Sequence, residues 1–146
     1  MSKILLIDNE INPGSDEPNM DYMWHYVKAL EEAGHAVTAV NNVDIALEVL
    51  RKEGKTYDIV VVDIMMPPGN ALAKVAHLRG MRTGIHLALR IAKDFPSLHI
   101  VALTNSHDSA IRKDLEPLKV PAVIVYKDDT TPFAFVRVVN GIVLHK

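Results

Sequence analysis

The stretch YDIVVVDIMMPP, residues 57–68, carries four consecutive β-branched residues, Ile59 to Val62, followed at once by Asp63. A run this short and this apolar reads as a strand buried on both faces. Behind the carboxylate stand Pro67 and Pro68, which lack the N–H that a sheet ladder or a helix interior requires. The strand therefore ends abruptly on a charged edge. Four other runs share its character: KILLI (3–7), HAVTAV (35–40), HIVAL (99–103) and AVIVY (122–126).

Helical periodicity fills the intervals. MWHYVKALEEAG and NVDIALEVLRKEG close on Gly34 and Gly54, where glycine is expected as a helix stop. GIHLALRIAKDFP puts Ile85, Leu89, Ala92 and Phe95 on one face and stops before Pro96. SHDSAIRKDLEPL is shorter and more polar, and TPFAFVRVVNGIVLHK opens with a threonine cap and Pro132 in its first turn. Five strand–helix alternations predict one α/β domain over residues 1–146, a parallel sheet with helices on both faces. In such sheets ligands bind beyond the carboxyl ends of the strands.

Composition narrows the function. Sixteen basic against eighteen acidic residues leave a formal charge of −2, which does not point to nucleic acid. The absence of cysteine excludes disulfides and thiolate metal sites. The histidines, at 25, 35, 77, 86, 99, 107 and 145, form no i, i+4 pair and are expected at the surface or its boundary. No signal-peptide anatomy precedes KILLID, and no apolar run approaches the ~18 residues of a membrane span. A cytoplasmic location without a membrane partner is expected.

The strand ends carry the chemistry. Asp8, Asn9 and Glu10 follow the first strand, Asp63 the third, Thr104, Asn105 and Ser106 the fourth, and Lys127, Asp128 and Asp129 the fifth. Carboxylates brought together repel unless a cation lies between them, and a shallow oxygen-rich site suits Mg²⁺. A lysine and a threonine beside them suit phosphoryl oxygens. A carboxylate can itself be the nucleophile and form an acyl phosphate. The residues point to phosphoryl transfer onto an aspartate.

KILLIDNE, YDIVVVDIMMP, HIVALT and AVIVYK, in this order, resemble the four signature strands of a response-regulator receiver domain, of the single-domain chemotaxis type. The resemblance spans nearly the whole chain. It implies a flavodoxin-like, doubly wound five-stranded parallel sheet of order 2-1-3-4-5. It also implies that Asp63 accepts a phosphoryl group from a sensor histidine kinase or a histidine phosphotransfer protein. Asp8, Asn9 in the place of the family's second acid, Asp63 and the main-chain carbonyl of Met65 would hold Mg²⁺. Thr104 and Lys127 would bind the phosphoryl group, with Glu10, Asn105 and Ser106 as modulators. The output would be altered binding of a downstream protein, with no DNA-binding domain and no catalysis beyond the domain's own phosphorylation and dephosphorylation.

Four departures accompany the resemblance. Asn9 replaces an acid. Asp128, in place of proline, follows Lys127, so a trans bond is expected. Ile124 stands where the family often has an aromatic switch residue. Insertions at about 11–21 and 68–82 leave the active edge with opposite charge and are expected either to meet over the pocket as a lid or partner-selecting rim, or to stay two solvated loops without mutual contact. The apolar FAFVRVV of the last helix suggests a homodimer face, while the side chains of Met65 and Met66 are expected to pack. Asn9 and Asp128 leave open a pseudo-receiver that binds partners without phosphorylation. A haloacid-dehalogenase-type phosphohydrolase is more distant, since it needs an aspartate where Glu10 stands and gives Asp63 no role.

Overall fold

The computed structural model describes residues 2–11, 23–66, 69–70, 72, 83–118 and 122–144. Strands β1 (Lys3–Ile7), β2 (Ala36–Val40), β3 (Ile59–Asp63), β4 (His99–Thr104) and β5 (Val123–Tyr126) alternate with helices α1 (Trp24–Glu32), α2 (Val43–Glu53), α3 (Thr83–Asp94), α4 (Ser109–Asp114) and α5 (Pro132–Leu144). All strand pairs are parallel, in the order β2-β1-β3-β4-β5. This is the doubly wound arrangement that the sequence predicts.

Strand geometry explains the unbroken apolar runs. Successive side chains point to opposite faces, and both faces of this sheet are covered. Leu5, Ile7, Val60, Val62, Ile100 and Ala102 pack with Ala46 and Leu50 of α2 and with Ile85, Ala88 and Ile91 of α3. Ile4, Leu6, Ile59, Val61, Val101 and Leu103 pack with Tyr26 and Leu30 of α1 and with Phe135 and Val139 of α5. Every residue of β3 is buried, and each such aliphatic side chain contributes roughly 1.5–3 kcal/mol relative to exposure.

Local signals set the helix ends. Asn42 Oδ1 accepts the Ile45 N–H at 2.8 Å and Thr131 Oγ1 accepts that of Ala134 at 3.1 Å, so α2 and α5 start on side-chain caps. Gly34 takes φ +96° just past α1, the left-handed turn expected of a helix stop.

Several expectations need correction. Gly54 closes α2 as expected, but with φ −54° rather than in a left-handed turn, and the chain runs on into a 3-10 turn (Gly54–Thr56); a Cβ there would lie 2.3 Å from the Phe95 ring, which would have to shift. The sheet-facing side of α3 is Ile85, Leu87, Ala88 and Ile91, with Leu89, Ala92 and Phe95 only half-buried at its border. His35 is buried: its Nδ1 accepts the Ser2 N–H at 3.2 Å and its Nε2 lies 2.8 Å from Asn140 Oδ1 on α5. The expected lid falls almost wholly outside the described residues. Its described ends anchor apart, Ile11 in the core beneath α1 and α5 and Leu72 in the core beneath α2 and α3.

Candidate functional site

Parallel register brings the strand ends to one edge. Ile7 pairs with Val62, Asp63 with Leu103, and Thr104 with Tyr126. Asp8, Asp63, Thr104 and Lys127 each stand at the last position of a strand or one step beyond it, and all four are buried. Three of them are joined directly. Lys127 Nζ lies 2.7 Å from Asp8 Oδ2 and 3.7 Å from Asp63 Oδ1, with Glu10 Oε2 at 3.8 Å.

The turns behind the strands hold these groups in place. The Glu10 N–H donates to Asp8 Oδ1 at 2.8 Å, which folds the chain back after β1. The Met65 N–H donates to Asp63 Oδ1 at 3.1 Å, and the Ser106 N–H to Thr104 Oγ1 at 2.9 Å. Asp108 caps α4, its carboxylate accepting the Ala110 N–H at 2.9 Å. Gly84 donates its N–H to the Ile64 carbonyl at 3.0 Å. A Cβ on Gly84 would sit 2.1 Å from the Asp63 carbonyl oxygen, so only glycine lets α3 start against the end of β3. Sequence reasoning missed this residue, since nothing distinguishes it from any glycine at a helix start.

Charge is unbalanced here. Burial, then the neighbouring Asp8 carboxylate, push Asp63 up to about 7, against the opposing pull of Lys127 and the Met65 N–H; Glu10 adds to the rise. Burial pulls Lys127 down, but the carboxylates of Asp8, Asp63 and Glu10 outweigh it, and the ammonium is held above its ordinary range. Two buried carboxylates and the half-exposed Glu10 thus surround one ammonium. This all-oxygen donor set with surplus negative charge fits Mg²⁺. Asp8 and Asp63, with the Met65 carbonyl, are the groups that would hold it.

The remaining candidates divide. The Asn9 side chain is exposed, and Glu10, from the next position, is the residue that reaches Lys127. The Met66 side chain is fully buried as expected, whereas that of Met65 is 41% exposed and does not pack. Asn105 is exposed and Ser106 half-buried. The Lys127–Asp128 bond is trans, and Lys127–Asp129 form a 3-10 turn. Ile124 is half-buried on β5. The ring of His107 stacks on Tyr126, with centroids 4.2 Å apart, and its Nε2 lies 3.1 Å from Asp128 Oδ2.

Solved structures align with this fold over almost its full length. A response regulator receiver domain from Clostridium thermocellum aligns at a TM-score of 0.71 and 17% identity, over 99% of this chain and 96% of that one. A CheY-like receiver domain from Methanospirillum hungatei gives 0.68 and 14%, over 97% and 92%. The RcsB response regulator of Salmonella typhimurium gives 0.74 and 22%, over 100% of this chain and 64% of that one. No family profile matches the sequence, and no curated protein matches it. The chain has the receiver-domain fold, in its CheY-like form.

Proposed function

We propose that the chain is a phosphoacceptor receiver domain that takes a phosphoryl group on Asp63 from the phosphohistidine of a kinase or phosphotransfer protein. The observation that supports this most directly is the convergence of Asp63, Asp8 and Lys127, with Lys127 Nζ 3.7 Å from Asp63 Oδ1. In the reaction an Asp63 oxygen attacks phosphorus. The new P–O bond forms as the P–N bond breaks, and its electron pair returns to the imidazole nitrogen. Mg²⁺, when bound, would supply charge neutralisation for the phosphoryl oxygens. Lys127 leaves Asp8 to pair with the phosphoryl group, and the Thr104 hydroxyl, at the end of β4, donates to it. The added charge biases the β4–α4 and β5–α5 surface between two states, and a protein partner reads the difference. No helix among the described residues is long and apolar enough to cross a membrane. A cytoplasmic site of action and an output through a downstream protein complete the reading.

A second reading, a module that binds partners without phosphorylation, draws support from Asn9, an amide where the family's second acid would stand, and from Asp128, where a proline would follow the lysine. Intact-mass measurement with Mg²⁺ and a small phosphodonor separates the two. A phosphoryl adduct on the wild-type chain that is absent from Asp63→Asn supports the first reading. No adduct at any Mg²⁺ concentration supports the second.

A further inference from the structure

One contact on the rim of the site ties the loop that follows Thr104 to the loop that carries Lys127. His107 lies three positions beyond Thr104, and its ring rests flat on Tyr126, with the planes 10° apart. Stacking aims Nε2 at Asp128, 3.1 and 3.2 Å from its two carboxylate oxygens, and Asp129 Oδ2 lies at 3.8 Å. A carboxylate only accepts, so Nε2 carries the hydrogen and the bond forms whether or not the ring is charged. Tyr126 precedes Lys127 and Asp128 follows it, so one imidazole grips the chain on both sides of the lysine. The same loop reaches the other phosphoryl-binding group through the Ser106 N–H, 2.9 Å from Thr104 Oγ1.

We infer that His107 is a positioning residue that sets the spacing between Lys127 and Thr104, a role that rests on the phosphoacceptor reading of Asp63. The lysine side chain has four rotatable bonds, and its ammonium sits nearer Asp8 than Asp63. How readily it crosses to the phosphoryl group depends on where the backbone of the 3-10 turn is anchored. A proline after the lysine would restrict that backbone from within by fixing φ. Asp128 does not, and the stacked, hydrogen-bonded His107 restrains the turn from outside. Because the anchor belongs to the Thr104 loop, a shift of Thr104 toward a phosphoryl group carries the lysine loop with it.

Titration calorimetry of the full chain with beryllofluoride, a phosphoryl mimic, tests the inference in the presence of Mg²⁺. The variants are His107→Ala, Asp128→Ala, the double variant, and His107→Gln, which keeps a donor. Each alanine is expected to weaken beryllofluoride binding roughly two- to five-fold, the range of an exposed hydrogen-bonded pair. The double variant should be no weaker than the weaker single, as for two ends of one contact. His107→Gln should recover part of the loss, and Mg²⁺ affinity without beryllofluoride should not move. Unchanged beryllofluoride affinity in the single variants, including where only the melting temperature falls, overturns the inference. Additive losses in the double variant, or an equal loss in Mg²⁺ affinity, also overturn it. A wild-type chain that binds Mg²⁺ but no beryllofluoride removes the phosphoacceptor reading itself, and the positioning role falls with it.

Discussion

Asp63 is set apart from an ordinary surface aspartate by what surrounds it. Its folded-state value of about 7 lies well above the ~3.9 of an unfolded chain. Between those values the native state binds more protons than the unfolded state, so this group's contribution to stability declines as pH rises from about 4 to 7. Above pH 7 the full penalty of a buried, partly compensated carboxylate remains. Asp63→Asn should therefore stabilise the metal-free protein by roughly 2–4 kcal/mol at pH 8 and by little at pH 4. Denaturant unfolding with chelator at the two pH values measures this, and equal effects would contradict it. At the neighbouring strand end, Asn9→Asp restores a carboxylate beside Asp8. Mg²⁺ affinity, which follows ligand charge, should rise by about tenfold on titration, and no gain would place position 9 outside the cation's reach.

At the scale of elements, α3 starts hard against the end of β3, with the Gly84 N–H on the Ile64 carbonyl at 3.0 Å. Gly84→Ala would force a Cβ to 2.1 Å from the Asp63 carbonyl oxygen and 2.5 Å from Ile64 Cα. Backbone cannot yield as a flexible side chain can, so α3 must move. A loss of roughly 3 kcal/mol in unfolding free energy is expected and, on the phosphoacceptor reading, slowed phosphorylation, because the crowded carbonyl belongs to Asp63 itself. An unfolding midpoint at the wild-type value would show that the helix start has room. What could be read in the sequence follows the same division. The strands were legible because β-branched runs bounded by polar residues have one common interpretation, and parallel pairing then gathers Asp8, Asp63, Thr104 and Lys127 at one edge. Contacts fixed by turns were not. The choice of Glu10 over Asn9 depends on how the chain folds back after β1, the need for glycine at 84 on the distance between α3 and the end of β3, and the His107–Asp128 pair on two loops meeting.

The whole molecule is held by ties between elements distant in sequence. The Tyr26 hydroxyl on α1 donates to the Thr130 carbonyl beyond β5, and His35 joins Ser2 to Asn140. These contacts fasten α1 and α5 over one face of the sheet. They leave Phe133, at the start of α5, 74% exposed, while Phe135 and Val139 fill the core. The apolar FAFVRVV segment is thus mostly spent inside, with one aromatic ring outside. Phe133→Asp should change stability by less than about 0.5 kcal/mol. If α5 mediates a homodimer, sedimentation should show the variant monomeric at concentrations where the wild type self-associates. Self-association that survives the substitution would move the dimer face elsewhere. Strand order carries a last consequence, for the timing of synthesis. β1 is made before the other four strands, yet its neighbours are β2 and β3, with Ile4 paired to Val37 on one side and Ile59 on the other. Until residues 59–63 emerge, one edge of an almost wholly apolar strand stays open to pairing with other chains. The segment that ends on Asp63 is also the one whose arrival closes that edge.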